Sequence, residues 1–172
     1  FVRSPYAHAW IKSVDTEQAR QAPGVLAVLT GEDYVAAGLR GIDHLVHTQD
    51  AVRYKEPVFK SSLTGHIFDA PHMPLPTDKV RHVGQAVAVV VATTRYQAMD
   101  AAELVEVDYE LIDPVSTVED ALKPGAPTLW EQAPGNLYFR VQLGNKKKAE
   151  AAFKKAHLVV RRQFTISRIV NC

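Results

Sequence analysis

Seven apolar positions in a row, Ala86-Val87-Ala88-Val89-Val90-Val91-Ala92, make the strongest pattern in the chain. The run is continuous and rich in valine, which predicts a strand buried on both faces. Thr93 or Thr94 then caps a helix that starts near Arg95. Ala98, Ala101, Ala102 and Val105 recur at helical spacing and form one apolar face, with Arg95, Gln97, Asp100 and Glu103 on the rest. Residues 105–111 alternate strictly, the pattern of a strand with one wet face. Residues 79–112 therefore read as strand–helix–strand with tight connections, and the valine-rich run is expected at the centre of a mixed sheet.

Shorter elements flank this unit. Residues 1–3 and 9–14 are strand material around a Ser4-Pro5 break. Asp15 can accept from a first-turn amide and Gln18 can reach back, opening a helix that Pro23-Gly24 ends. Residues 25–29 form an apolar run of strand length, and Thr30-Gly31-Glu32-Asp33 caps a second helix closed by Gly38. Residues 39–78 keep no period and hold Pro57, Pro71, Pro74 and Pro76, which predicts a long loop, functional or packed on a partner. Ser116-Thr117-Val118-Glu119 reads as a capping box, and Pro134-Gly135-Asn136 as a boundary. Beyond it come a strand candidate over 137–143, a Gly144-Asn145 turn, a helix near 147–156 and a strand candidate over 158–169. The expected division is 1–133 and 134–172, with no internal repeat.

Composition narrows the class. At 172 residues, 47% hydrophobic and 23% charged, the chain is ordinary globular material and long enough for a core. A net charge of +1 spreads no field of one sign, which argues against a nucleic-acid binder. The longest apolar run falls far short of the ~20 residues of a membrane helix, so no span is expected. Cys172 is the only cysteine and allows no internal disulfide. The chain opens on Phe1 without a signal pattern and closes inside a strand-like run, so it reads as a piece of a longer protein.

Candidate chemistry is sparse. His44, His47, His66 and His72 share the long loop, but their spacing matches no standard finger or zincin pattern. Cys172 has no positioned base. Glu103, Glu106, Asp108 and Glu110 read as a wet helix edge and strand face rather than a catalytic pair. Lys146, Lys147, Lys148, Lys154 and Lys155 form one basic cluster, opposite Ala149, Ala152, Phe153 and Ala156 on an amphipathic helix. Aromatics interleaved with these lysines, as nucleic-acid binding would want, are missing. Neither a Gly-x-Ser-x-Gly nor a Gly-x-Gly-x-x-Gly motif occurs. No catalytic, cofactor-binding or metal residue is assigned.

Several stretches together resemble a known family. They are Arg3-Ser4-Pro5-Tyr6-Ala7-His8-Ala9, Pro23-Gly24-Val25, Leu29-Thr30-Gly31-Glu32-Asp33, Val83-Gly84 with Ala88-Val89-Val90-Val91-Ala92, and Arg95-Tyr96-Gln97-Ala98 leading to residues 101–110. They resemble the α/β-hammerhead domain of the aldehyde oxidase/xanthine dehydrogenase family, in the molybdopterin-binding large subunit of carbon monoxide dehydrogenase-type enzymes. Trp10 stands where many members carry Arg, and Gln85-Ala86 where many carry Glu-Pro; these departures bear on substrate subtype. Gly144-Asn145, Ala151-Ala152-Phe153 and residues 156–160 resemble the start of the first molybdopterin-binding domain.

The resemblance implies an α+β fold: a hammerhead with a mixed sheet over 1–133, and the opening strand–helix–strand of the next domain over 134–172. It implies a cytoplasmic, bacterial parent that hydroxylates a carbon centre or oxidises carbon monoxide at molybdenum. The cofactor would be molybdopterin cytosine dinucleotide, with electrons leaving through iron–sulfur and FAD partners. The chain itself is then a structural, interdomain-packing module without an active site. Its partners would be the downstream molybdopterin-binding domains and the iron–sulfur and flavin subunits, with self-association through 137–172 as a further expectation. The alternatives are a barrel-sandwich-like carrier or binding module, against which the missing Met-Lys-Met-like turn counts, and a small stand-alone enzyme using the histidine loop.

Overall fold

A computed structural model describes residues 1–42, 68, 70–138, 140, 144–164 and 166. They divide into two compact units, Phe1–Arg140 and Val141–Cys172. In chain order the first unit contains β1 (Val2–Arg3), β2 (Ala9–Asp15), α1 (Glu17–Gln21), β3 (Val25–Thr30) and α2 (Gly31–Ala36). It continues with β4 (Lys79–Val80), β5 (Ala86–Ala92), α3 (Arg95–Ala102), β6 (Glu106–Leu111) and α4 (Val118–Ala121). A 3-10 turn follows at Pro134–Asn136. The second unit contains α5 (Lys146–Lys155).

The α+β class of the hammerhead holds, with one correction. The strands form two three-stranded sheets, β1-β5-β3 and β4-β2-β6, and each pairing is antiparallel rather than mixed. Residues 79–112 do run strand–helix–strand, with β5 central in its sheet as its valines predict. Both edges of β5 are already taken by β1 and β3, so β6 cannot return beside it. Instead β6 crosses to β2, pairing Trp10 with Glu110 and Val14 with Val107.

β5 is also covered less completely than its sequence suggests. On one face Ala88 and Val28 are fully buried with Ala19 of α1 and Val105, and Val2, Val25 and Val90 pack around them. On the other face Val87 is buried against Ala9 and Val80 of the second sheet. Farther along that face, Val91 pairs with Ala27 and Val89 with Leu29, and the apolar surface stays partly open. Val91 is 43% exposed and Leu29 42%.

Local signals set the helix starts. Thr30 and Asp33 form a reciprocal capping box on α2. Asp15 Oδ1 accepts from the Glu17 N–H ahead of α1, and Thr94 Oγ1 accepts from the Gln97 N–H of α3. On α4 the Ser116/Glu119 box does not form; the cap is Thr117, whose Oγ1 accepts from the Asp120 N–H at 3.0 Å and donates to the Asp120 carboxylate. Gly31 opens α2 where the Leu75-Pro76 backbone crosses, and a Cβ there would lie 2.6 Å from the Pro76 carbonyl oxygen.

Pro134–Asn136 lies inside the first unit and acts as an anchor. Asn136 takes a left-handed conformation, φ 55°, which suits asparagine. Its Oδ1 accepts from the Leu129 N–H at 2.9 Å, and its Nδ2 donates to the Ala121 and Pro127 carbonyls, each at 3.0 Å.

In the second unit, Asn145 caps α5 by accepting from the Lys148 N–H. Residues 158–164 are described and are not a strand, contrary to expectation. A β-prone segment becomes a strand only beside a ladder partner, and none pairs with it among the described residues. Leu137 and Tyr138 are likewise outside any strand. Residues 139, 141–143, 165 and 167–172 lie outside the described residues, as do 43–67 and 69 of the long loop.

We expect Asn136→Gly to destabilise the first unit by about 2 kcal/mol, through the loss of its hydrogen bonds. Asn136→Ala should cost roughly 1 kcal/mol more, because alanine also resists the left-handed backbone. Urea denaturation of both variants measures the difference; equal costs would show that the backbone conformation contributes nothing.

Candidate functional site

The register of β2 against β4 places its residues on two faces. Ala9 lies opposite Val80 and points into the core, while Trp10 lies opposite Lys79 on the reverse face. Period-two alternation carries that reverse face on to His8 and Arg81. A strap formed by residues 127–133 crosses it.

Among the described residues Lys79 is the largest fully buried side chain, at 1% exposure. Its Nζ donates to Glu131 Oε1 at 2.7 Å and to the Thr128 carbonyl at 3.0 Å, and lies 4.6 Å from the centre of the Trp10 ring. Arg81 lies 3.5 Å over the Trp130 ring. Its Nε donates to the Leu129 carbonyl at 2.9 Å, and its remaining nitrogens engage both Asp78 carboxylate oxygens and the Lys79 carbonyl. Gln85 Oε1 accepts from the Arg81 backbone N–H at 2.7 Å. Phe68 packs near Trp130 and Tyr138, with ring centres 6.0 and 6.1 Å away.

Electrostatics follow from this geometry. The Lys79 hydrogen bond holds the Glu131 carboxyl below its ordinary value. Asp78 is also held low: burial pushes it up, and the Arg81 fork together with backbone N–H groups outweighs that. His8 is 2% exposed, and burial and then the Lys79 cation push its ring below its ordinary value. A cleft of about 510 Å³ borders this network, lined by Pro71, Met73, Pro76, Asp78, Arg81 and Trp130 among others. Both cations of the network are bonded to protein acceptors. The arrangement can therefore clamp a strap onto a sheet, and it presents no activated nucleophile.

The residues weighed from sequence do not converge here. His72 lines the cleft, and its carbonyl accepts from the Ile42 N–H. His44, His47, His66 and Cys172 lie outside the described residues. Glu103, Glu106, Asp108 and Glu110 are exposed, and Glu110 pairs with Lys12 at 2.7 Å. The five lysines of α5 are exposed, with Lys146 3.7 Å from Glu150. Among the described residues no three or more His, Cys, Asp or Glu group as a metal site would require. Sequence reasoning missed Lys79, Arg81, Trp130, Glu131 and His8. The available signal was Lys-Val-Arg at period two, with both noted departures nearby: Trp10 faces the Lys79 ammonium and Gln85 accepts from the Arg81 backbone N–H.

The model of the aldehyde oxidase and xanthine dehydrogenase a/b hammerhead domain matches residues 1–60 and 48–113. This chain belongs to that family. It is 38% identical to the carbon monoxide dehydrogenase large chain of Afipia carboxidovorans, across 98% of this chain and 20% of the relative. It is 36% identical to a xanthine dehydrogenase molybdenum-binding subunit of Escherichia coli, across 73% of this chain and 15% of the relative. A crystal structure of a Cu,Mo-CO dehydrogenase matches with a TM-score of 0.68 and 35% identity, covering 92% of this chain and 19% of that one. The hammerhead chain thus spans about a fifth of the length of these relatives or less.

Glu131→Gln should destabilise the hammerhead by about 1–3 kcal/mol near neutral pH, although Glu131 is largely exposed, because it removes the charge partner of a buried ammonium. The folded carboxyl titrates below the ordinary 4.5, so this stabilisation is complete above that value and is lost as pH falls through the depressed one. Denaturation of both proteins across pH measures it. A gap between them that stays constant down to pH ~2 would contradict the pairing.

Proposed function

We propose that this hammerhead is a packing module in the large subunit of a molybdenum-dependent oxidoreductase of the xanthine, aldehyde or carbon monoxide dehydrogenase type. The carrying observation is the partly open apolar face of Ala27, Leu29, Val89 and Val91, on a family member that spans about a fifth of its relatives' length. A contiguous open apolar sheet face of this kind marks a surface that packs against another protein surface. The occupant in this reading is an apolar surface of the remaining large-subunit polypeptide. Residues 1–133 are assigned to the hammerhead and 134–172 to the start of the first molybdopterin-binding domain. A division of the chain near this point supports two domains, although the second compact unit begins only at Val141 and Asn136 is tied to the first.

The parent's cofactor, molybdopterin in its cytosine dinucleotide form, supplies the redox chemistry at molybdenum when bound. The Lys79–Arg81 clamp does not suit it. Its phosphates call for unengaged donors, and Lys79 and Arg81 already bond to protein oxygens. The isolated chain is inactive in this reading. Iron–sulfur and flavin subunits are the parent's electron partners, in a bacterial cytoplasm. Among the described residues no helix is long and apolar enough to cross a membrane.

Val91→Glu tests the packing role. In the 172-residue chain it should change stability by about 1 kcal/mol or less, since the position is half open. In the complete large subunit it should sharply lower the yield of molybdenum-loaded protein, read by metal analysis. Full molybdenum loading in that variant would refute the role. Stoichiometric molybdenum in the 172-residue chain alone would refute the absence of a cofactor site.

The segment after Arg140 is proposed to associate with copies of itself when nothing else covers it. Leu158, Val160, Phe164 and Ile166 are strongly exposed, which supports this. Light scattering should show a dimer for the full chain and a monomer for a truncation after Arg140, which keeps the Asn136 anchor. Two monomers, or two dimers, would contradict tail-mediated assembly.

A further inference from the structure

On the strap face one polar side chain is buried without a well-formed hydrogen bond: neither Nδ1 nor Nε2 of His8 has a partner at full hydrogen-bond geometry, and only the Asp113 backbone lies within weak reach of the ring. Buried ring nitrogens are ordinarily bonded, so this imidazole is held in place by its surroundings rather than by bonds of its own. The backbone at His8 is fixed, its carbonyl accepting from the Ile112 N–H at 3.0 Å. Four groups influence the ring: the Lys79 ammonium, the Arg81 guanidinium, the Glu131 carboxylate and the backbone of Asp113. Asp78 is bound to Arg81 through both oxygens. Two cations thus face two carboxylates that are already bonded to them; Asp113 contributes its backbone to the ring, and its carboxylate is exposed.

We propose that His8 is a proton-responsive release for the strap: one proton taken up at its ring sets a third cation against Lys79 and Arg81 and loosens residues 127–133. The strap is vulnerable to that charge because its attachments run through those same cations, Lys79 to Thr128 and Glu131 and Arg81 to Leu129 and Trp130. Burial and the Lys79 charge hold the ring neutral below 6.5, while the Asp113 backbone works the other way. A released His8 binds its proton near 6.5, and a clamped one only at lower pH. The clamped state therefore keeps its full advantage above 6.5, loses it as pH falls from there, and levels off below the depressed value. Glu131 and Asp78 stay ionised in that window, because both are held below their ordinary values.

The test is amide hydrogen exchange of residues 127–136 in the full chain at about pH 7.5 and about pH 5.5, corrected for intrinsic rate and referenced to β5. The wild type should lose protection severalfold on acidification, and His8→Phe, which cannot titrate, should lose none. Should that variant fail to fold, NMR titration of wild-type His8 decides instead. Strap resonances should then move with the midpoint of the His8 ring, below that of an unfolded-peptide histidine. Strap protection unchanged by pH, an equal acid response in His8→Phe, or strap resonances indifferent to the His8 midpoint would each overturn the proposal.

Discussion

A lysine on the inner side of a sheet face gives up its water, and the loss is several kcal/mol unless the protein replaces the bonds. Lys79 is such a residue, and its replacement comes from far along the chain: the Thr128 carbonyl, the Glu131 carboxylate and the face of Trp10. A desolvated ammonium over an aromatic ring gains about 2 kcal/mol from the contact, and the charged hydrogen bonds add to it. This requirement fixes where residues 127–133 must run. Arg81 repeats the arrangement two residues on, stacked on Trp130 and bonded to Leu129. Asn136 then ties the same stretch to Ala121 and Pro127. The last part of the first unit is thus fastened by polar contacts to a sheet whose other face is apolar.

The two sheets divide the work. The β4-β2-β6 sheet turns Ala9 and Val80 toward Val87 and keeps its charged face for the strap. The β1-β5-β3 sheet buries Ala88 and Val28 beneath Ala19 and Val105 and leaves Val89, Val91, Ala27 and Leu29 partly open. One sheet is closed by its own chain, and the other retains apolar surface that suits a neighbouring domain. Both features support the packing role proposed above.

Local signals in the sequence were legible. The valine run, the Thr30 and Thr94 caps and the alternation of residues 105–111 each determine an element through neighbouring residues alone. The mixed sheet was not legible, because strand partners depend on which edges of β5 are free, and β1 and β3 are distant from it in sequence. The Ser116 box failed because Thr117, one step on, takes the N-cap position and bonds Asp120 instead. Pro134-Gly135-Asn136 read as a boundary because its composition matches a turn. Only the three-dimensional proximity of Leu129, Ala121 and Pro127 makes it an anchor. The clamp was hidden for the same reason: a lysine two residues before an arginine looks like a solvated strand edge until Trp130 and Glu131 fold over it. The aldehyde oxidase/xanthine dehydrogenase resemblance, carried by many short motifs spread over most of the chain, survived these local errors.

The clamp has a direct chemical readout in the reactivity of its lysine. Brief labelling of the native chain with an amine-reactive ester, mapped by mass spectrometry, compares Lys79 with the exposed Lys12 and Lys123. Lys79 should stay unmodified while the other two react, and should become reactive once the chain is unfolded in urea. Labelling of native Lys79 at the rate of Lys12 would contradict the buried cation on which this account of the hammerhead rests.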